Sequence, residues 1–120
     1  MGAALGLLGV WGTLAPYAGP PLGFVVVTRP VVEVVDHVLP GIVLLGVATF
    51  ALVTGRLPLP LSLLAVLAGL WMAGTHVPLL AQAARGGVEV AAALWHSLPG
   101  LLLLVVAVGA AVVAWVQETA

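Results

Sequence analysis

Asp36-His37-Val38-Leu39-Pro40-Gly41 returns later in the chain as Trp95-His96-Ser97-Leu98-Pro99-Gly100. Each copy stands where polar sequence gives way to a long apolar run, so each marks the start of a segment that passes into a hydrophobic phase. Around these two stretches lie 120 residues, 63% of them hydrophobic and only 6% charged, with a mean hydropathy of +1.32. A chain this apolar cannot cover itself with polar side chains, so the expected solvent is lipid.

The same composition excludes several classes. A net charge of -1 without a single lysine provides no clustered cations for phosphate contacts, which removes nucleic acid as a partner. The absence of cysteine removes disulfides, thiolate catalysis and Cys-ligated metals. The chain starts Met1-Gly2-Ala3-Ala4-Leu5 without the basic flank of a signal peptide, so the first apolar run reads as a retained span rather than a cleaved leader.

Four apolar runs predict helices near residues 3–18, 31–54, 60–80 and 88–116. The first has Gly2, Gly6, Gly9 and Thr13 on one small-residue face, where another helix can approach closely. At ~1.5 Å per residue it reaches only ~24 Å, short of a ~30 Å hydrocarbon core. Pro16 lacks an amide hydrogen and frees the carbonyl of Gly12, which a neighbouring helix must then satisfy. Gly19-Pro20-Pro21-Leu22-Gly23 ends this helix, and Phe24–Thr28 is too short to span and belongs at the interface.

Thr28 is a candidate cap for the second helix, with Pro30 in its first turn and Glu33, Asp36 and His37 in its first two turns. Pro40 inside this helix predicts a kink or break near His37. In the third run Ser62, Ala65, Gly69, Ala73 and His76 share a face; in the fourth, Ala107, Ala110, Ala111 and Ala114 do. No stretch alternates like a membrane strand. The expected fold is therefore all-α, a polytopic membrane four-helix bundle forming one transmembrane domain.

At an offset of about sixty residues, Gly9-Val10-Trp11 pairs with Gly69-Leu70-Trp71, and Arg29-x-x-Val32-Glu33-Val34 with Arg85-x-x-Val88-Glu89-Val90. The His-x-Leu-Pro-Gly elements follow in the same order, which argues for two two-helix repeats, about 1–57 and 58–120. Each repeat crosses twice, so the repeats are parallel, related by a pseudo-twofold along the membrane normal.

Here the chain resembles the SPW-repeat family of small integral membrane proteins. Gly9, Trp11, Ala15-Pro16-Tyr17 and Gly41, with Gly69, Trp71, Trp95 and Gly100, match parts of that family's pattern. Ala15 and Tyr17 depart from its Ser-Pro-Trp, and Thr75-His76-Val77 replaces it in the second repeat. The resemblance implies a multi-pass fold in a prokaryotic cell membrane and brings no established activity.

Four spans gather Arg29, Glu33, Asp36, His37, His76, Arg85, Glu89 and His96 at one face, against Arg56 and Glu118 at the other. One reading converges His37, His76 and His96, with Asp36, on a transition metal, a haem or a proton relay. The plainer reading makes them interfacial residues, with Arg29–Glu33 and Arg85–Glu89 as surface pairs, because no His-x-x-His spacing is present. Trp11 and Trp71 read as packing residues, and Tyr17, Trp95 and Trp115 as interfacial anchors. His76 is expected to be at least half buried, with a partner among Asp36, His37, Ser97 and His96.

No phosphate loop, dinucleotide fingerprint or catalytic triad can be assembled, so no catalytic residue is assigned. Three functions follow, in order of expectation. The first is a structural or interaction component of the bilayer, as a homo-oligomer or within a larger membrane complex. The second is a histidine-based metal- or haem-binding redox protein. The third is a small transporter, which the lack of an acidic residue in the first span disfavours.

Overall fold

The computed structural model describes residues 1–120 as four helices without strands: α1 (Gly2–Ala18), α2 (Pro30–Thr54), α3 (Leu59–Ala84) and α4 (Val90–Thr119). Pro16 lies inside α1 and does not stop it; the helix ends at Gly19, followed by a 3₁₀ turn over Pro20–Leu22. Gly23 closes that turn at φ 88°, a left-handed angle that favours glycine. Phe24 to Arg29 then run without regular structure.

Pro30 opens α2 after Arg29 in an extended conformation (φ -87°, ψ 139°), as a residue before proline must be. The expected Thr28 cap does not form. Its hydroxyl donates instead to Oε1 of Glu33. Of the kink or break expected near His37, the helix shows no break and an irregular turn at that residue. Val34–Val38 form one π-helical turn, in which the Leu39 N–H donates to the Val34 carbonyl five residues back. Pro40 cannot donate to the carbonyl four residues before it, and widening the helix by a residue accommodates that loss without breaking the rod. Two helices outrun their expected ends: α3 continues through Pro78 to Ala84, and α4 continues to Thr119.

Each helix lies against its sequence neighbours, and α4 closes the ring on α1. The α1–α2 seam is a ladder of small residues. A Cβ added to Gly2 would stand 3.1 Å from the Cβ of Ala51, and one added to Gly9 would stand 3.2 Å from the Cβ of Leu44. Gly41 faces Thr13 across the same seam. On the opposite side α3 and α4 approach as closely. A Cβ on Gly69 would lie 3.0 Å from Cα of Leu104, and one on Gly100 would lie 2.9 Å from the amide nitrogen of Ala73. At the far end the Glu118 carboxylate accepts the Leu59 N–H at 2.8 Å, satisfying a free amide at the start of α3.

The core is made of small and flexible side chains: Leu5, Leu44, Val47, Ala48, Ala65, Ala68, Met72, Leu103 and Ala107. Large apolar residues face outward instead, among them Val53 at 80% exposure and Val105 at 72%. That distribution is unstable in water and natural in lipid, where helix association is driven by close backbone approach. Three helices, α2, α3 and α4, are long and apolar enough to cross a membrane; α1, with 17 residues, is the short one.

The seam makes a prediction. Gly69→Leu forces a side chain into the Leu104 backbone and should destabilise the detergent-solubilised protein by about 1–3 kcal/mol. Leu64→Ala, on the exposed face, should change stability by no more than ~0.5 kcal/mol. Thermal unfolding of both variants checks the order, and the reverse ranking would mean that the faces are assigned wrongly.

Candidate functional site

Pro16 has no amide hydrogen, so the Gly12 carbonyl one turn earlier lacks its helical donor. The α1–α2 ladder brings α2 close enough for His37 to supply one: its Nδ1 lies 2.7 Å from the Gly12 oxygen. The π turn over Val34–Val38 carries His37 inward, and the ring is 1% exposed. A carbonyl only accepts, so Nδ1 carries the hydrogen and the Nε2 of the neutral ring is a bare electron pair.

The other two histidines repeat this logic on their own helices. His76, 8% exposed on α3, places Nδ1 2.7 Å from the Met72 carbonyl and 3.0 Å from the Thr75 hydroxyl oxygen. Thr75 itself donates back to the Trp71 carbonyl at 3.0 Å. His96, 3% exposed on α4, places Nδ1 2.9 Å from the Ala92 carbonyl. The close α3–α4 seam sets His76 beside α4, where Ser97 donates to the His76 carbonyl at 3.3 Å. With Nδ1 donating to its carbonyl, each neutral ring leaves Nε2 unprotonated.

Two of those nitrogens meet. Nε2 of His76 lies 2.8 Å from Nε2 of His37, with ring centroids 4.4 Å apart, and the His96 ring stands 5.9 Å from that of His37. In its other tautomer His76 donates from Nε2 to Nε2 of His37, and its Nδ1, 3.0 Å from the Thr75 hydroxyl, becomes an acceptor. Oε2 of Glu33 stands 3.4 Å from Nε2 of His37, buried and without a hydrogen-bond partner. The three histidines and Glu33 line a cavity of about 160 Å³, together with Thr28, Asp36, Thr75 and Gln82. A hydrogen must lie between the two Nε2 atoms, from the other tautomer of His76 or from an added proton, unless a cation takes its place.

The rings do not yet stand as a closed metal site, and no three His, Cys, Asp or Glu side chains have ligating geometry. The 2.8 Å between the two Nε2 atoms fits a shared proton. It is shorter than the ~3.3 Å between two ligand atoms on a tetrahedral ion with bonds of ~2.0–2.1 Å. Uptake of such an ion requires His37 and His76 to part by about half an ångström. No family model, curated protein or solved structure matches the chain.

His37, His76 and His96, read from the sequence as candidates, are brought together. His76 finds its partner in His37. Asp36 lines the same cavity but makes no hydrogen bond or ion pair with any of the rings. Glu33 is the residue that sequence reasoning missed, because it was paired with Arg29. That pair does not form, nor does Arg85–Glu89, and the one contact at ion-pair distance is Glu33–His37. The signal was there in the four-residue spacing of Glu33 and His37, which puts both on one helical face.

Among the tryptophans, Trp95 is half-buried rather than a free anchor. Its indole donates to the Ala15 carbonyl at 2.9 Å, with Phe24 stacked at 5.1 Å and Trp11 tilted at 5.6 Å. Trp71 is exposed, and its indole donates to the Val35 carbonyl at 3.2 Å.

The Pro16–Gly12–His37 relation can be tested by a double-mutant cycle. His37→Ala leaves a buried carbonyl unpaired and should cost about 1–3 kcal/mol. In a Pro16→Ala background the helix regains its own donor, so the same truncation should cost at least ~0.5 kcal/mol less. Strict additivity in thermal or denaturant unfolding would show that the proline and the histidine do not share that carbonyl.

Proposed function

We propose that this chain is a four-pass integral membrane protein that binds one divalent transition-metal ion in the histidine cluster at one end of its bundle. The observation that carries this reading is the buried His37–His76 pair, with Nδ1 of each ring on a backbone carbonyl, the two Nε2 atoms 2.8 Å apart and the His96 ring 5.9 Å from that of His37. Metal-ligating histidines are held in this way, the second nitrogen donating to a carbonyl so that the first stays a good ligand. A shared proton would account for His37 and His76 alone; it leaves the His96 nitrogen and the Glu33 oxygen without a role. Imidazole with carboxylate suits zinc, copper, iron or nickel. The cavity, at about 160 Å³, is below the ~300 Å³ at which organic ligand sites begin, which favours an ion over a haem.

The interaction-component reading stands first in order from sequence alone; what favours the metal reading beside it is the buried His37–His76 pair next to a polar cavity. The four-pass topology is supported by the outward apolar faces and by the sharing of one depression by the α1–α2 and α3–α4 connections, through Val25–Thr28 and Gly87–Glu89. Support for the parallel two-helix repeat comes from matched contacts sixty residues apart. Gly41 meets Thr13 as Gly100 meets Ala73.

Single cysteines introduced at positions 29 and 85 should be labelled from one side of the membrane, and those at 2, 56 and 118 from the other. Labelling of 29 and 56 from the same side would remove the four-pass topology.

Detergent-purified protein should bind one Zn²⁺ per chain and gain thermal stability, by about 2.7 kcal/mol at a hundredfold excess over the dissociation constant. His37→Ala, His76→Ala and His96→Ala should each lose most of that gain. If wild-type protein shows no saturable Zn²⁺ or Co²⁺ binding, the cluster holds a proton only and the metal reading is wrong.

A further inference from the structure

The π turn of α2 leaves one carbonyl over, that of Val35. Within a helix its donor would be the amide four or five residues on, but the Leu39 N–H is taken by Val34 and Pro40 has none. The donor comes from α3 instead: Nε1 of Trp71 stands 3.2 Å from the Val35 oxygen. We propose that Trp71 is the positioning residue of His37, its indole N–H holding the π turn in the register that turns the His37 ring into the bundle. The inference concerns the hydrogen bonds of α2 and is measured without metal, so it stands or falls apart from the metal-binding reading.

No other group competes for the role. Val35 and Trp71 border a groove between α2 and α3 whose remaining side chains are all apolar. That groove faces outward, with Leu39, Ile42 and Trp71 each more than half exposed. In lipid no water replaces a missing donor there, and an unpaired carbonyl in such surroundings is costly. An indole that reaches across to a neighbouring helix while half its surface stays outside is accounted for by that carbonyl.

His37 lies inside the same turn, with Nδ1 2.7 Å from the Gly12 oxygen and Nε2 2.8 Å from Nε2 of His76. One residue more or fewer in a helical turn swings a side chain by ~100°. Relaxation of Val34–Val38 to an ordinary α-helical turn therefore withdraws the ring from these partners. The proline alone does not account for the wide turn, as α4 shows. There Pro99 follows His96 at nearly the same spacing, yet the helix runs through it unwidened. Trp11, the counterpart of Trp71 in the repeated Gly-x-Trp sequence, keeps its indole nitrogen buried without a partner. The helix that receives an indole hydrogen bond has the π turn, and the helix that receives none at its proline does not.

The test follows the Nδ1–H protons of His37 and His96 by hydrogen exchange in detergent, using protein labelled with ¹⁵N-histidine: wild type, Trp71→Phe, Pro40→Ala and the double variant. Trp71→Phe keeps an aromatic ring and removes the donor. It should speed exchange at His37 at least ~tenfold while His96 stays within ~twofold, whereas a general loosening of the bundle would speed both. Pro40→Ala restores an amide, so α2 can satisfy the Val35 carbonyl by itself. In that background Trp71→Phe should change the His37 rate by less than ~twofold. Thermal unfolding shows which variants are folded; if Trp71→Phe is not, Trp71→Leu, which also lacks the donor, takes its place with the same expectation. An unchanged His37 rate, equal acceleration of His37 and His96, or the same acceleration in both backgrounds would overturn the assignment.

Discussion

The hydrogen bond from His37 Nδ1 to the Gly12 carbonyl is the contact on which the arrangement depends. It exists because Pro16 gives α1 a carbonyl without a helical donor, and because glycines and alanines let α1 and α2 approach closely enough for a side chain to reach it. In an apolar surrounding, a free carbonyl costs about 1–3 kcal/mol, so the bond selects the tautomer of His37 as well as its position. With Nδ1 committed, Nε2 must face inward. His76 and His96 are likewise held by Nδ1 to carbonyls on their own helices, so the rings are placed by the backbone of the helices, independent of any loop.

Much of this was legible in the sequence, for identifiable reasons. Apolar runs located four helices because periodicity and length are strong signals, and the freed Gly12 carbonyl followed from the position of Pro16 alone. The burial of His76 followed from its sharing a face with Ser62, Gly69 and Ala73. What could not be read were competitions between local and tertiary partners. Thr28 has the chemistry of a helix cap, but Glu33 one turn on offers a stronger, charged acceptor. Pro40 predicts a break, but a π turn satisfies the backbone more cheaply when the helix has neighbours to pack against. Glu33 was assigned to Arg29 because spacing alone favours i,i+4 pairs of opposite charge; burial against His37 decided otherwise.

The inverted distribution of side-chain size places the chemistry as well. Alanines and glycines, with Leu5, Leu44, Val47, Leu103 and Met72 between them, fill the middle of the bundle, where the backbones approach closely. Toward the ends of α1 and α3 the helices carry Pro16 and Pro78, and the extended Phe24–Arg29 segment lies beside them. There the close seams relax and a polar cavity opens, lined from α2, α3 and α4. Four of the five buried polar residues, His37, His76, His96 and Ser97, belong to this end, and the fifth, Ser62, bonds only to its own helix.

A packing histidine is satisfied when each nitrogen has a complementary partner, one donating and one accepting. With Nδ1 donating in each ring, Nε2 of His37 stands against Nε2 of His76, with Oε2 of Glu33 close behind. Weak screening in a low-dielectric interior makes such a like-signed set more costly than the same groups at a surface. The same low dielectric strengthens the attraction once a cation enters. Rigid helices, rather than the side chains' own preferences, keep the acceptors together in its absence, and a binding site differs from a well-satisfied core in that respect.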